Sequence, residues 1–404
     1  MTTDYAPYLS YIDEQYEHMK QLTYDWSNIN SGSYHINGLD HMRSVLQDNF
    51  LWLDAEMETL PLSPLQQINS FGDIIDVPIA QALRIKKRPD APIQVFLGGH
   101  YDTVFGKDHT FQQPKLLDDN IINGPGVSDL KGGLVVMLKA LEALEHTPFK
   151  ESIGWEVLIN PDEEIGSASS DRYLKEAATR CDFGLIYEPS LPDGTIVGER
   201  KGSGNFTLTV RGKAAHAGRE HHLGRNAIVK LAQATQAINA LNGRKDGVTI
   251  NPGVIEGGSA LNAVPDLAIM RYNIRIQNAE EQSWVKNEID AIIAELNQDE
   301  DYQLSLHGSF TRPPKVLDET DEALWNALRA CGETLNLPIN QRATGGCCDG
   351  NNLKAYGLSN VDTLGVRGGN IHSDQEFIIL ESLKERAQLS ALLLMRVANG
   401  EIRI

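Results

Sequence analysis

Three apolar runs in this chain stop abruptly at acidic or imidazole side chains. Ile93-Gln-Val-Phe-Leu97 runs into Gly98-Gly-His-Tyr-Asp102, Trp155-Glu-Val-Leu-Ile159 into Asn160-Pro-Asp-Glu-Glu164, and Asp182-Phe-Gly-Leu-Ile-Tyr187 into Glu188-Pro189. Short continuous apolar runs are what a strand buried on both faces requires. Between the first two, Leu134, Met137, Leu138, Leu141 and Leu144 recur at helical spacing. Strands alternating with helices predict a mostly parallel, mixed α/β sheet with helices on both faces. In such sheets functional groups gather beyond the carboxyl ends of the strands, which is where His100, Asp102, Glu163, Glu164 and Glu188 fall.

The flanking stretches have other textures. Residues 1 to about 60 show helical spacing (Tyr8, Tyr11, Ile12, Tyr16, Met19, then Met42, Val45, Leu46, Phe50, Leu53). Asn205-Phe-Thr-Leu-Thr-Val-Arg211 alternates apolar with polar, as a half-solvated strand does. It is followed by a helix over 226–241, strands over 247–255 and 267–276, a helix over 280–296 and a strand over 302–306. That order predicts an inserted α+β, ferredoxin-like unit. Helices over 321–334 and 380–399 resume the first texture. The division expected is 1–198 and 310–404 for the α/β domain in two parts, with 199–309 as the insert.

Composition excludes several classes. Lys plus Arg total 36 against 55 Asp plus Glu, a net charge of −19, which repels phosphate backbones and argues against nucleic-acid binding. No stretch reaches 18 consecutive apolar residues, so no membrane span is expected, and the first residues lack the pattern of a signal peptide. Four cysteines, two of them adjacent (Cys347 and Cys348), do not form a disulfide framework and suggest a reduced, cytoplasmic protein.

No nucleophile elbow, phosphate-binding loop, dinucleotide fingerprint or His-Glu-x-x-His helix occurs. What remains is His and carboxylates. His100 and Asp102, two apart on a strand, share a face, and a metal-bound histidine often donates its second N–H to such a carboxylate; a polar surface turn gives the same spacing. Asp129, in Gly124-Pro-Gly-Val-Ser-Asp-Leu-Lys-Gly-Gly133, is a helix cap or a ligand. Glu163 and Glu164 suit a helix's first turn, or one holds a cation while its neighbour works as a base. Glu188 ends a strand, and His372 lies in the glycine-bearing loop Arg367-Gly-Gly-Asn-Ile-His-Ser-Asp374.

Taken in order, Gly99-His-Tyr-Asp102, Gly126-Val-Ser-Asp-Leu-Lys-Gly-Gly133, Asp162-Glu-Glu-Ile-Gly166, Tyr187-Glu-Pro189 and Asn370-Ile-His-Ser373 resemble the co-catalytic zinc amidohydrolases. That family includes acetylornithine deacetylase, succinyl-diaminopimelate desuccinylase, aminoacylase and glutamate carboxypeptidases. The likeness runs from about residue 70 onward and leans to the carboxypeptidase branch through Thr344-Gly-Gly-Cys-Cys-Asp-Gly-Asn351. It implies two zinc ions, with His100, Asp129 and Glu188 on one, Asp129, Glu164 and His372 on the other, and Asp129 bridging; ligands of this type would also accept cobalt or manganese. It implies Glu163 as the general base for a metal-activated water, Asp102 orienting His100, and a cis peptide at Asp129–Leu130. The reaction implied is hydrolysis of an amide bond in an N-acyl amino acid or short peptide.

The insert holds a second constellation. His216, in Arg211-Gly-Lys-Ala-Ala-His-Ala-Gly218, reads as a loop histidine; it also resembles the family's dimerisation-domain histidine, which implies a homodimer with His216 serving the partner's site as a donor to an oxyanion. Asn262 and Arg275 match other substrate-contacting positions of the family, and Arg275 reads equally as a surface arginine. The Arg312 guanidinium suits a substrate carboxylate, and Gly345-Gly346 lets backbone approach the same group. Three rivals remain: a cysteine hydrolase using Cys347 or Cys348 with His372, an inactive metal-binding scaffold, and an aminopeptidase or dipeptidase gripping a free amine through Asp193, Glu199 or Glu220.

Overall fold

The computed structural model describes residues 3–404. Its central sheet has six strands in the spatial order Glu56–Leu60, Ala82–Lys87, Ile153–Asn160, Ile93–His100, Phe183–Ile186, Asn360–Val361. The last four run parallel, and the first two are antiparallel additions at one side, so the sheet is mixed. The period-2 alternation divides its core. Val95, Leu97, Val157 and Ile159 face the N-terminal helices, Gly132–Glu145 and Ser382–Ala398. Phe96, Leu158 and Ile186 face Asp171–Ala178 and Asp349–Ala355. The expected mixed α/β sheet with helices on both faces is therefore the observed one.

The N-terminal stretch is helical over Ala6–Glu14, Tyr16–Ser27 and Ile36–Phe50, with Ile12, Met19, Met42, Leu46 and Phe50 buried. Helix stops earlier than the apolar spacing suggests. Glu56–Leu60 is a strand, and Leu65–Ile68 pairs with Ile74–Val77 as a hairpin. That hairpin is mostly solvent-exposed and has no apolar periodicity to betray it.

The insert is a four-stranded antiparallel sheet in the order Thr249–Gly257, Leu267–Ile276, Gly202–Arg211, Gln303–Arg312. Helices Ala227–Asn239 and Ala279–Leu296 cover one face through Leu208, Val210, Leu231, Ile238, Met270, Ile274, Val285 and Ile289. Each helix starts at an asparagine that accepts a backbone N–H: Asn226 from Val229 at 3.1 Å and Asn278 from Glu281 at 2.9 Å. This is the ferredoxin-like arrangement. Its last strand continues past residue 309 to Arg312. No helix among the described residues is long and apolar enough to cross a membrane.

Candidate active site

His100 and Asn160 pair at the carboxyl ends of adjacent parallel strands, so the segments after them leave the sheet side by side. His100 and Asp102 are fully buried, which removes the surface-turn reading of this pair. The imidazole Nδ1 lies 3.0 Å from the Asp102 carbonyl and 3.2 Å from its Oδ1. With two acceptors facing it, Nδ1 is assigned the proton, and Nε2 is left as the lone-pair side. The Asp102 carboxylate also accepts from the backbone N–H groups of Glu163 and Glu164, both at 3.2 Å, and from Ser33 Oγ at 2.8 Å. One carboxylate thereby aligns the histidine and the glutamate pair together.

Asp129 is not a helix cap. The Gly132–Glu145 helix begins after Lys131 without a side-chain cap, and Asp129 has extended backbone angles inside the turn Val127–Lys131. The Asp129–Leu130 peptide is cis. Gly126 enters this turn at φ +71°, a conformation that favours glycine. The buried Glu376 carboxylate accepts from the N–H groups of Gly126 (3.1 Å), Ser128 (2.8 Å) and Asp129 (3.0 Å). Glu376 arrives because Phe377–Ile379 pairs with Ile121–Asn123 just upstream of the turn. The same pairing brings in the loop bearing His372.

Six side chains converge here. Asp129 Oδ1 is 3.0 Å from His100 Nε2, and Asp129 Oδ2 is 3.3 Å from His372 Nε2. His372 Nε2 lies 3.1 Å from Glu164 Oε2. His100 Nε2 lies 3.7 Å from Glu188 Oε1 and 4.0 Å from Glu163 Oε2. Two groups have ligand atoms close enough for one ion each: His100, Glu163 and Glu188; and His100, Asp129 and Glu164. Glu163 thus reaches the same space as the residues expected to be ligands. It differs in that its Oε1 accepts from Arg312 Nη2 at 2.7 Å.

The electrostatics are those of an acidic nest. Burial pushes the Glu163 carboxyl up to about 7 against the pull of Arg312 and His100. Burial, then the charge of Asp129, raises Glu164 and Glu188. Burial would raise Asp129 too, but hydrogen bonds from His100 and His372 win and hold it low. Bonds to Asp129 and Glu164 push His372 up to about 11. Four carboxyl groups outnumber the two imidazoles and one guanidinium beside them, so their full ionisation calls for added positive charge. Imidazole plus carboxylate donors fit zinc, cobalt or manganese.

The other expected residues lie apart. The Arg312 guanidinium is buried and its bonds are internal: to Glu163, to Asp349 Oδ1 (2.5 Å), to Asn352 Oδ1 (3.0 Å) and to Ser167 Oγ (2.8 Å). The expectation that it grips a substrate carboxylate is corrected: both of its Nη groups are already committed to the protein. Arg275 instead faces the exposed glycine loop, with Nη1 3.5 Å from the Gly345 carbonyl and 2.7 Å from Cys347 Sγ; the Gly346 carbonyl accepts from Arg200 at 3.3 Å. His216 and Asn262 are exposed neighbours on the insert, joined where Ala217 N–H donates to the Asn262 carbonyl at 2.9 Å, and neither touches the nest among the described contacts.

All four cysteines are free. Cys348 is buried, which pushes its thiol well up, and its sulfur accepts from Gly350 N–H at the start of Asp349–Ala355. His372 faces carboxylates and neither cysteine, so the cysteine-hydrolase rival has no catalytic pair. Asp193, Glu199 and Glu220 are exposed and make no contact with the nest among the described residues. Sequence reading missed Ser33, Glu376, Asp349 and Asn352. None has a local signal, since each meets its partner across a large separation in the chain.

Residues 96–396 match the model described as "Peptidase family M20/M25/M40". Carboxypeptidase G2 of Pseudomonas sp. (strain RS-16) is 26% identical over 313 residues, covering 76% of this chain and 74% of the relative. Succinyl-diaminopimelate desuccinylase of Hahella chejuensis is 26% identical over 348 residues, covering 80% and 88%. Among solved structures, the Bacillus subtilis YXEP protein, described as a dinuclear metal binding peptidase, superposes with a TM-score of 0.64 at 14% identity over 96% of this chain and 99% of that one.

Proposed function

The chain belongs to the peptidase family M20/M25/M40 and is a metal-dependent hydrolase, and from that premise we propose that it is a two-zinc enzyme releasing an amino acid with a free carboxylate from an N-acyl amino acid or short peptide. The observation that supports this most is the placing of Asp129, whose two oxygens each face a different imidazole. In this reading His100, Asp129 and Glu188 hold one ion and Asp129, Glu164 and His372 the other. Bound ions would polarise the scissile carbonyl and lower the pKa of a water towards ~7.

The chain's own groups do the rest. Glu163 takes a proton from the attacking water at Oε2 and passes it to the departing amine, a relay its second oxygen leaves it free to make while Oε1 is held by Arg312. Arg312 holds Glu163 by its other oxygen and so keeps it out of the ligand set. Asp102 sets the His100 tautomer. Arg275 and the Gly345-Gly346 backbone receive the substrate carboxylate. His216, with Asn262 beside it, donates to the oxyanion from a second subunit. Association through the insert is favoured by the unpaired edge of Thr249–Gly257 and by the exposed Val254, Ile255 and Leu261. Four free thiols fit a reducing cytoplasm.

Elemental analysis of reconstituted protein should give two zinc ions per chain, and kcat/KM on N-acyl amino acids and dipeptides should fall by about 10²-fold or more when the substrate carboxylate is amidated. Little change on amidation would remove the carboxylate-gripping site while leaving amide hydrolysis.

A further inference from the structure

The polar face of the insert sheet lines a cleft of about 840 Å³ whose walls also include Glu164 and residues 65–68 of the hairpin formed by residues 65–77. That hairpin precedes the segment matched by the family model. Arg271 donates to the Ile68 carbonyl at 3.0 Å, His307 Nε2 to the Gln66 carbonyl at 3.1 Å, and Arg211 to the Gly72 carbonyl at 3.0 Å. These bonds tie the hairpin to the insert along the cleft wall.

Along its floor the strands align a row of small neutral polar side chains. Asn251, Asn273, Asn205 and Ser309 stand opposite one another in the pairing register. Asn273 is spoken for, donating to Ser203, Gly204 and Asn205. The Asn205 amide N–H₂, both ends of Asn251 and the Ser309 hydroxyl make no other hydrogen bond among the described residues. Arg271 is already neutralised by Glu256 at 2.8 Å. The spare capacity is thus uncharged and offers donors and acceptors together, which matches the alternating C=O and N–H of a peptide backbone. Arg275 lies four residues from Arg271 on the same strand, or ~13 Å at ~3.3 Å per residue. A substrate whose carboxylate sits at Arg275 therefore points its acyl side toward this row and the hairpin. The cleft is near the upper end of the ~300–1,000 Å³ of small-ligand sites, far more than an acetyl group fills.

We propose that this cleft is an acyl-side subsite for an extended, uncharged peptide chain, so that the preferred substrates are oligopeptides with a free C-terminus and not N-acetyl amino acids. The proposal rests on the amide-hydrolase reading for its orientation. The test uses the zinc-loaded Glu163→Gln protein, which keeps an acceptor for Arg312, and measures Kd by calorimetry for N-acetylglycine, N-acetyldiglycine and N-acetyltetraglycine. Affinity should rise at least tenfold along the series, and the Asn205→Ala/Asn251→Ala double variant should flatten it. Equal affinity for all three, or a rise that survives the double variant, overturns the subsite. Hydrolysis of the same series by the native protein separates the two ideas. A length-dependent gain in binding with no cleavage sinks the hydrolase reading alone; cleavage with no length dependence sinks the subsite alone.

Discussion

Arg312 Nη2 stands 2.7 Å from Glu163 Oε1 while the same guanidinium is pinned by Asp349 and Asn352. The Glu163 carboxylate is thus held from behind by a guanidinium that two further side chains fix in place. Its positive charge also lowers the Glu163 carboxyl against the upward push of burial. Arg312→Lys keeps the charge and loses the planar fork, so kcat should fall by about 10²-fold with the acid limb of the pH–rate profile in place. Arg312→Ala removes the charge, the Glu163 pKa rises, and the acid limb should move to higher pH. An unmoved limb in both variants would mean that Arg312 does not tune the base.

Glu376 works on Asp129 through the backbone, with three N–H groups of residues 126–129 ending on one carboxylate. Glu376→Gln replaces one of the two accepting oxygens with an amide N–H₂ that faces a backbone donor, and Asp129 should lose its fixed orientation between the two imidazoles. Zinc affinity, measured by competition with a chromophoric chelator, should drop about 10- to 100-fold. Retention of wild-type affinity would reduce Glu376 to a fold-supporting residue.

Why Asp129 was visible in the sequence and Glu376 was not is a matter of distance along the chain. Strand ends are local: Ile93-Gln-Val-Phe-Leu97 announces both the strand and the polar groups after it, and the same holds for Glu163, Glu164 and Glu188. The insert was legible because Asn205-Phe-Thr-Leu-Thr-Val-Arg211 alternates and its helices are periodic. Glu376 meets Asp129 over 247 residues, and Arg312 meets Glu163 over 149. Such pairings are decided by which strands align, and no spacing rule records them. Arg312 was misread for the same reason: a guanidinium beside Pro313 looks available until Asp349 is seen against it. The 65–77 hairpin escaped because its side chains are mostly solvated and its partners, Arg271, His307 and Arg211, belong to the insert.

Removing divalent ions should make stability fall as pH rises. Burial lifts the Asp162 carboxyl from 3.8 to about 6 and Glu376 from 4.5 to about 7, and it raises Glu163, Glu164 and Glu188 as well. A carboxyl raised in the folded state favours folding below its unfolded pKa, and that contribution is lost as pH climbs through the folded value. His100 and His372, also raised, act in the same direction; Asp129, held low, opposes them only in acid. Chelator-treated protein should therefore show a higher Tm near pH 5 than near pH 8, and zinc should abolish that difference by taking over the neutralising role. An unchanged Tm–pH curve on adding zinc would contradict the cation-binding nest.

His216 offers the sharpest test of association. Its Nδ1 accepts from Gly218 N–H at 3.1 Å and Arg219 N–H at 3.2 Å, so the ring proton sits on Nε2 and points outward as a donor. Among the described residues of its own chain this donor has no partner in the nest. Action in trans requires that each site combine Glu163 of one subunit with His216 of the other. In the proposed homodimer, the Glu163→Gln and His216→Ala proteins should each be nearly inactive. Unfolding and refolding them together in equal amounts should leave half the molecules as mixed dimers with one intact site, restoring roughly a quarter of wild-type activity by the statistics of a twofold assembly. If His216 served its own subunit, each chain of the mixed dimer would remain defective, and no activity would return.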